Sequence, residues 1–123
     1  MNLTDIVSKK GFVDIYKRKG PRIVLGRMVL RLDGLDSDEL AYASNALTSM
    51  DVYYNSGADH IRIRSNPSIE RVLAECTSLS KVMECTLNHV RWRQENPKAP
   101  KSVLASKQLD LEMVLKDAKR SAA

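Results

Sequence analysis

The 123 residues of this chain suit one domain, and 43% hydrophobic with 28% charged residues is the composition of an ordinary globular protein. That composition excludes a largely disordered chain, and no stretch approaches the roughly 18 apolar residues of a membrane span, so we expect no membrane partner. The formal net charge of +5 favours an anionic partner such as DNA or RNA, although a merely solvated basic surface fits the same number.

The charges are unevenly distributed along the chain. Residues 1–31 hold eight Lys/Arg and two Asp, residues 32–59 hold six Asp/Glu and no Lys/Arg, and residues 60–123 hold twelve Lys/Arg and seven Asp/Glu. The folded molecule is therefore predicted to be electrically polar, with basic regions able to steer a polyanion.

The first half of the chain predicts short strands around one helix. Residues 1–10 are interpreted as an N-terminal arm, and residues 11–17 alternate as a short strand. The run 22–32 fits either a strand or a helix, and its β-branched residues favour the strand. Asp36 with Glu39 three residues on forms a capping box, which predicts a helix over residues 37–50.

A hairpin is predicted next, because β-prone runs at residues 52–54 and 60–64 flank a link that contains Gly57. In the second run Ile61 and Ile63 face one side, and the other side carries His60, Arg62 and Arg64. Arg62 and Arg64 are expected to point to solvent.

The longest predicted element starts at Asn66-Pro67 and runs to about residue 94. Apolar residues recur along it at alternating spacings of three and four, which is a heptad stripe. A helix of about 40 Å overreaches a domain of this size. We therefore expect the stripe to form an oligomer or partner interface, through Ile69, Val72, Cys76, Leu79, Met83 and Val90. Two prolines end the helix, and Ser102 is expected to cap a last one.

Together these elements predict an α+β fold: a small antiparallel sheet of three or four strands packed against helices, with a long heptad-patterned helix and a C-terminal helix. A single domain over residues 1–123 is expected. It would comprise the arm at 1–10, a strand-rich part with one helix at 11–65, and a helical pair at 66–121.

Signals for catalysis or cofactor binding are nearly absent, so we predict no enzyme, no cofactor and no metal. The chain has no phosphate-binding glycine loop, nucleophile elbow or paired-histidine motif. The acidic residues near Asp36 are explained by the helix cap. Cys76 and Cys85 are predicted to remain unbridged, which suits a reducing, cytoplasmic location. The first residues do not resemble a secretory signal.

Three basic groups indicate nucleic-acid binding, although each also fits a solvated surface. They are the turn with Lys17, Arg18, Lys19 and Arg22, the strand face with Arg62 and Arg64, and the helix end with Arg91, Trp92 and Arg93. The leading hypothesis is a non-enzymatic nucleic-acid-binding or regulatory protein that acts as a dimer. The alternative is a structural or inhibitory adaptor for another protein, such as an accessory component of a phage, plasmid or other assembly.

Overall fold

A computed structural model describes residues 1–16 and 25–122. It has an α+β fold with an antiparallel sheet and a C-terminal helix, which confirms the predicted class. The described elements are α1 (Leu3–Lys10), β1 (Gly11–Tyr16), β2 (Arg27–Leu32), α2 (Ser37–Ser49), β3 (Asn55–Ser56), β4 (Ile61–Ile63), α3 (Asn66–Glu75), α4 (Lys81–Glu95) and α5 (Lys101–Ala122).

The sheet has the order β1-β2-β4-β3, and every neighbouring pair is antiparallel. Side chains alternate across it, so one face joins the core and the opposite one, here called the outer face, carries the polar residues. The core side is formed by Val13, Met28, Leu30, Leu32, Ile61 and Ile63, all of which are buried. The preference for a strand is confirmed at residues 27–32, whereas residues 22–24 lie outside the described part.

The N-terminal arm was a wrong prediction, because residues 3–10 form helix α1. The side chain of Asn2 accepts a hydrogen bond from the backbone of Asp5, which caps the helix. Leu3, Ile6 and Val7 have helical spacing and are buried in the core. An eight-residue helix offers too few turns for this periodicity to stand out in the sequence.

The single long helix was also wrong, since α3 ends at Glu75 and α4 begins at Lys81. Between them Cys76 is extended, and Ser80 caps α4 by accepting a hydrogen bond from the backbone N–H of Met83. Hydroxyl side chains that bind the backbone compete with helix continuation, and the segment 77–80 is rich in them. The region 66–121 therefore holds three helices in its described structure rather than a pair.

The break removes the predicted heptad interface. Its residues do not line one helix, and four of them are buried within the protein's own core: Ile69, Val72, Met83 and Val90. Cys76 and Leu79 are half-buried against that core in and beside the break. A second copy of the chain could not reach this stripe without opening the fold.

Smaller differences concern where elements begin and end. The capping box of Asp36 and Glu39 is present as predicted. The hairpin is present too, but its first strand, β3, is only two residues long and begins after Tyr54. Helix α3 is capped by Ser65 rather than by Asn66, whose place is the first helical residue.

Helix α5 packs on α4 through one side, on which Leu111 and Gln108 are buried. The side-chain oxygen of Gln108 accepts a hydrogen bond of 2.7 Å from the backbone N–H of Gly26, which ties α5 to the start of β2. Both cysteines are free thiols, as predicted. None of the helices in the described part is long and apolar enough to cross a bilayer.

The packing predicts that the stability lost by a Leu→Ala substitution depends strongly on whether the leucine is buried. Leu30→Ala removes a side chain that is 0% exposed at the centre of the sheet, so we expect a loss of about 2–5 kcal/mol in the free energy of unfolding. Leu109→Ala, the same change at a side chain that is 43% exposed on α5, should cost below about 0.5 kcal/mol. Urea denaturation measures both, and equal losses would contradict the assigned core.

Candidate nucleic-acid interface

Of the described residues predicted to bind nucleic acid, the structure brings Arg64 and Arg93 into one cleft and leaves the others outside it. Lys17, Arg18, Lys19 and Arg22 lie outside the described residues. Arg62, expected to face solvent, does not: its side chain is only 16% exposed and donates to Asp33 at 2.6 Å. That prediction failed because its partner is 29 residues away in the sequence.

Arg62 belongs to an ion-pair network on the outer face of the sheet. Arg62 on β4 lies directly opposite Arg31 on β2. The Arg31 guanidinium lies 2.8 Å from the Asp14 carboxylate and 3.2 Å from the Asp33 carboxylate. The same guanidinium stacks on the Phe12 ring, 4.5 Å from its centroid. The hydrogen bond to Asp14 raises the pKa of Arg31 above its ordinary value. These two arginines are already neutralised by carboxylates.

A second group of arginines lies at the opposite end of β2. Arg27, Arg64 and Arg93 line one open cleft of about 540 Å³, here called the arginine cleft. Arg64 donates a hydrogen bond of 2.7 Å to the Asn55 side chain, and among the described residues none of the three forms an ion pair. No described Asp or Glu lines the cleft. Three arginines therefore line one concave surface whose described lining contains no carboxylate.

Three parts of the chain bring these arginines together. Arg27 begins β2, and Arg64 directly follows β4, which is antiparallel to β2, so both stand at the same end of the sheet. Arg93 comes from α4, which forms another wall of the cleft. Helix α3 begins in the cleft, with Ser65 and the next two residues in its lining. The positive end of its dipole adds to the field of the arginines.

His89 is buried one helical turn before Arg93 and lines the arginine cleft. Burial lowers the pKa of its imidazole to about 4, and the positive charges of Arg93 and Lys107 contribute in the same direction. The ring is therefore neutral at pH 7 and can both donate and accept hydrogen bonds.

The remaining predicted residues of α4 do not join the cleft. Arg91 is exposed and lies 4.0 Å from Glu70. Trp92 faces α5, where the Lys107 ammonium lies 5.3 Å from the centroid of its ring. Trp92 thus lines a separate cleft between α4 and α5 of about 380 Å³.

Sequence reasoning missed three residues of the arginine cleft. Arg27 and Tyr53 fell within predicted strands, and no site was inferred from either of them or from His89. Their separation in the chain left no spacing signal, because the cleft is assembled by tertiary packing. In the described part of the chain, no three His, Cys, Asp or Glu residues are grouped as metal ligands would be.

The pKa of His89 predicts an acid-sensitive fold. Since its folded pKa of about 4 lies below the unfolded value of 6.5, the unfolded chain binds the proton more tightly, and stability falls as the pH drops below 6.5. The loss should reach about 2 kcal/mol at pH 5. His89→Gln should lack this component, so urea denaturation at pH 7 and pH 5 should give a smaller difference for the variant. Equal differences would refute the lowered pKa.

Comparisons with known proteins find similarity to solved structures. No family model matches the sequence, and no curated protein matches it. The fold is similar to that in the crystal structure of the LAGLIDADG homing endonuclease I-GzeII in complex with its DNA target, with a TM-score of 0.60 and 14% sequence identity. The similarity covers 89% of this chain and 40% of that chain, so this chain spans less than half of the endonuclease. At this identity the likeness shows a shared fold.

Proposed function

We propose that this protein binds nucleic acid without cleaving it, and that the arginine cleft is the centre of its binding surface. The observation that carries the proposal is the meeting of Arg27, Arg64 and Arg93 in a cleft whose described lining holds no carboxylate.

Phosphate is the group that best matches such a site. Guanidinium forks form paired, charge-assisted hydrogen bonds to phosphate oxygens, and the positive end of the α3 dipole favours the same anion. Like charges gathered in one cleft repel each other, and a bound polyanion relieves that repulsion. The excess of positive charge over the whole chain would assist the encounter.

The fold relationship adds support of a different kind. The solved structure with the similar fold was crystallised with its DNA target. Its DNA binding supports the proposal through architecture alone, since sequence identity is 14%. Its nuclease activity is not carried over to this chain.

A double substitution in the cleft tests the proposal. Arg64→Ala with Arg93→Ala should weaken binding to duplex DNA and RNA and should flatten the dependence of log affinity on log salt by about 1.8, because each lost phosphate contact removes roughly 0.9 from the slope. Fluorescence anisotropy at several salt concentrations measures both quantities.

The matched control is Lys98→Ala with Lys116→Ala, which removes two exposed charges that do not line the cleft. The control should keep a steeper slope than the cleft variant. If the two variants had equal effects, binding would depend on general surface charge and not on the cleft. Absence of binding by the wild type at low salt would refute the proposal. The claim that the protein does not cleave nucleic acid is tested by incubating it with plasmid DNA and Mg²⁺. A nicking activity that co-purifies with the protein would refute that claim.

A second candidate function, binding of a protein partner, is favoured by one feature of α5. Leu109 and Met113 lie one turn apart on its outward side and are 43% and 64% exposed. A second copy of the chain could cover these two side chains. The dimer expected from the sequence would then form through α5 and not through the heptad stripe.

We expect light scattering at high micromolar concentration to detect this dimer, and Met113→Lys to dissociate it by placing a charge in an apolar contact. The variant should keep the unfolding free energy of the wild type at concentrations where both are monomeric, since the residue is exposed. A strictly monomeric wild type would exclude self-association.

A further inference from the structure

We propose that the arginine cleft holds one unstacked nucleotide of a single-stranded nucleic acid, with its phosphate beside Arg64 and Arg93 and its base on the ring of Tyr53. The inference rests on the proposed function and narrows it from nucleic acid in general to strands whose bases are not paired.

The phosphate side of the cleft is defined by charge. Arg64 is exposed at the end of β4, and Arg93 reaches the cleft from α4. Between these elements α3 starts, with the extended Ser65 as its cap. A phosphate placed there would meet two guanidinium groups and the positive end of a helix dipole.

Tyr53 provides the surface for a base. It lines the same cleft and is 73% exposed, and it forms no hydrogen bond or ring contact with any other described residue. Arg64 lines the same cleft and donates a hydrogen bond to the side chain of Asn55, two residues after Tyr53. An exposed phenol ring next to a phosphate-binding arginine is the arrangement with which proteins stack bases of single strands.

The shape of the cleft favours one nucleotide over a length of duplex. Its volume of about 540 Å³ is within the range of clefts that bind small ligands. In a duplex both faces of each base are covered by neighbouring bases, so a base can reach Tyr53 only after leaving the stack. Single strands present such bases at a lower cost. Polar groups of Asn66 and His89 in the lining are available to hydrogen-bond the base edge.

The test compares single strands with a duplex while the aromatic ring is removed. Tyr53→Leu should weaken binding of oligo-dT and oligo-U by about fivefold or more, and should change binding of a hairpin duplex by less than about twofold. Tyr53→Phe keeps the ring and should bind all three as the wild type does. Tyr42→Leu, at another exposed tyrosine on α2, is the matched control and should have no effect.

The outcomes separate this inference from the function on which it rests. If the wild type binds the duplex in a salt-sensitive way but Tyr53→Leu leaves the single strands unaffected, or weakens all probes equally, the single-nucleotide site is refuted while nucleic-acid binding stands. If the wild type binds none of the probes at low salt, both are refuted. Thermal melting of each variant checks that the fold is unchanged, as expected for an exposed side chain.

Discussion

The antiparallel register of β2 and β4 decides which side chains of the sheet reach the core and which reach its outer face. Leu30 lies opposite Ile63, and both are completely buried. Because side chains alternate along a strand, the same register turns the neighbouring pair, Arg31 and Arg62, to the outer face. A slip of one residue would bury both guanidinium groups and expose the apolar pair. The core and the positions of the arginines therefore depend on one constraint.

This register also distributes positive charge unevenly along the strands of the sheet. Two arginines directly opposite each other would repel, and Asp33 at the end of β2 contacts both of them. At the other end, Arg27 and Arg64 have no described carboxylate in ion-pair contact. Asp14 of β1 and Asp33 thus neutralise the arginines on one part of the sheet, whereas the end with Arg27 and Arg64 keeps its positive charge. The arginine cleft opens at this positive end.

Interactions between residues close together in the chain could be predicted from the sequence, whereas those between distant residues could not. The cap of α2 was predicted correctly because Asp36 binds a backbone group three residues away. The prediction of one long helix was wrong because the apolar spacing continues through the break. The hydrogen bond by which Ser80 caps α4 does not alter that spacing, so the spacing does not reveal where α3 ends. Arg62 was expected to face solvent because nothing local indicates its contact with Asp33. Arg64 and Arg93 could be selected by their charge, but their meeting with Arg27 depends on tertiary packing of segments far apart in the sequence.

The neutral state of His89 follows from the same accumulation of positive charge. Arg93 and Lys107 disfavour its protonation, which adds to the effect of burial, while Asp110 lines the α4–α5 cleft on the other side of the ring. A phosphate bound in the arginine cleft would offset the nearby guanidinium charges and so raise the pKa of the imidazole. By linkage, anion binding and proton uptake at His89 must then favour each other. The ring is therefore neutral at pH 7, and under the proposed function a bound phosphate would make it easier to protonate.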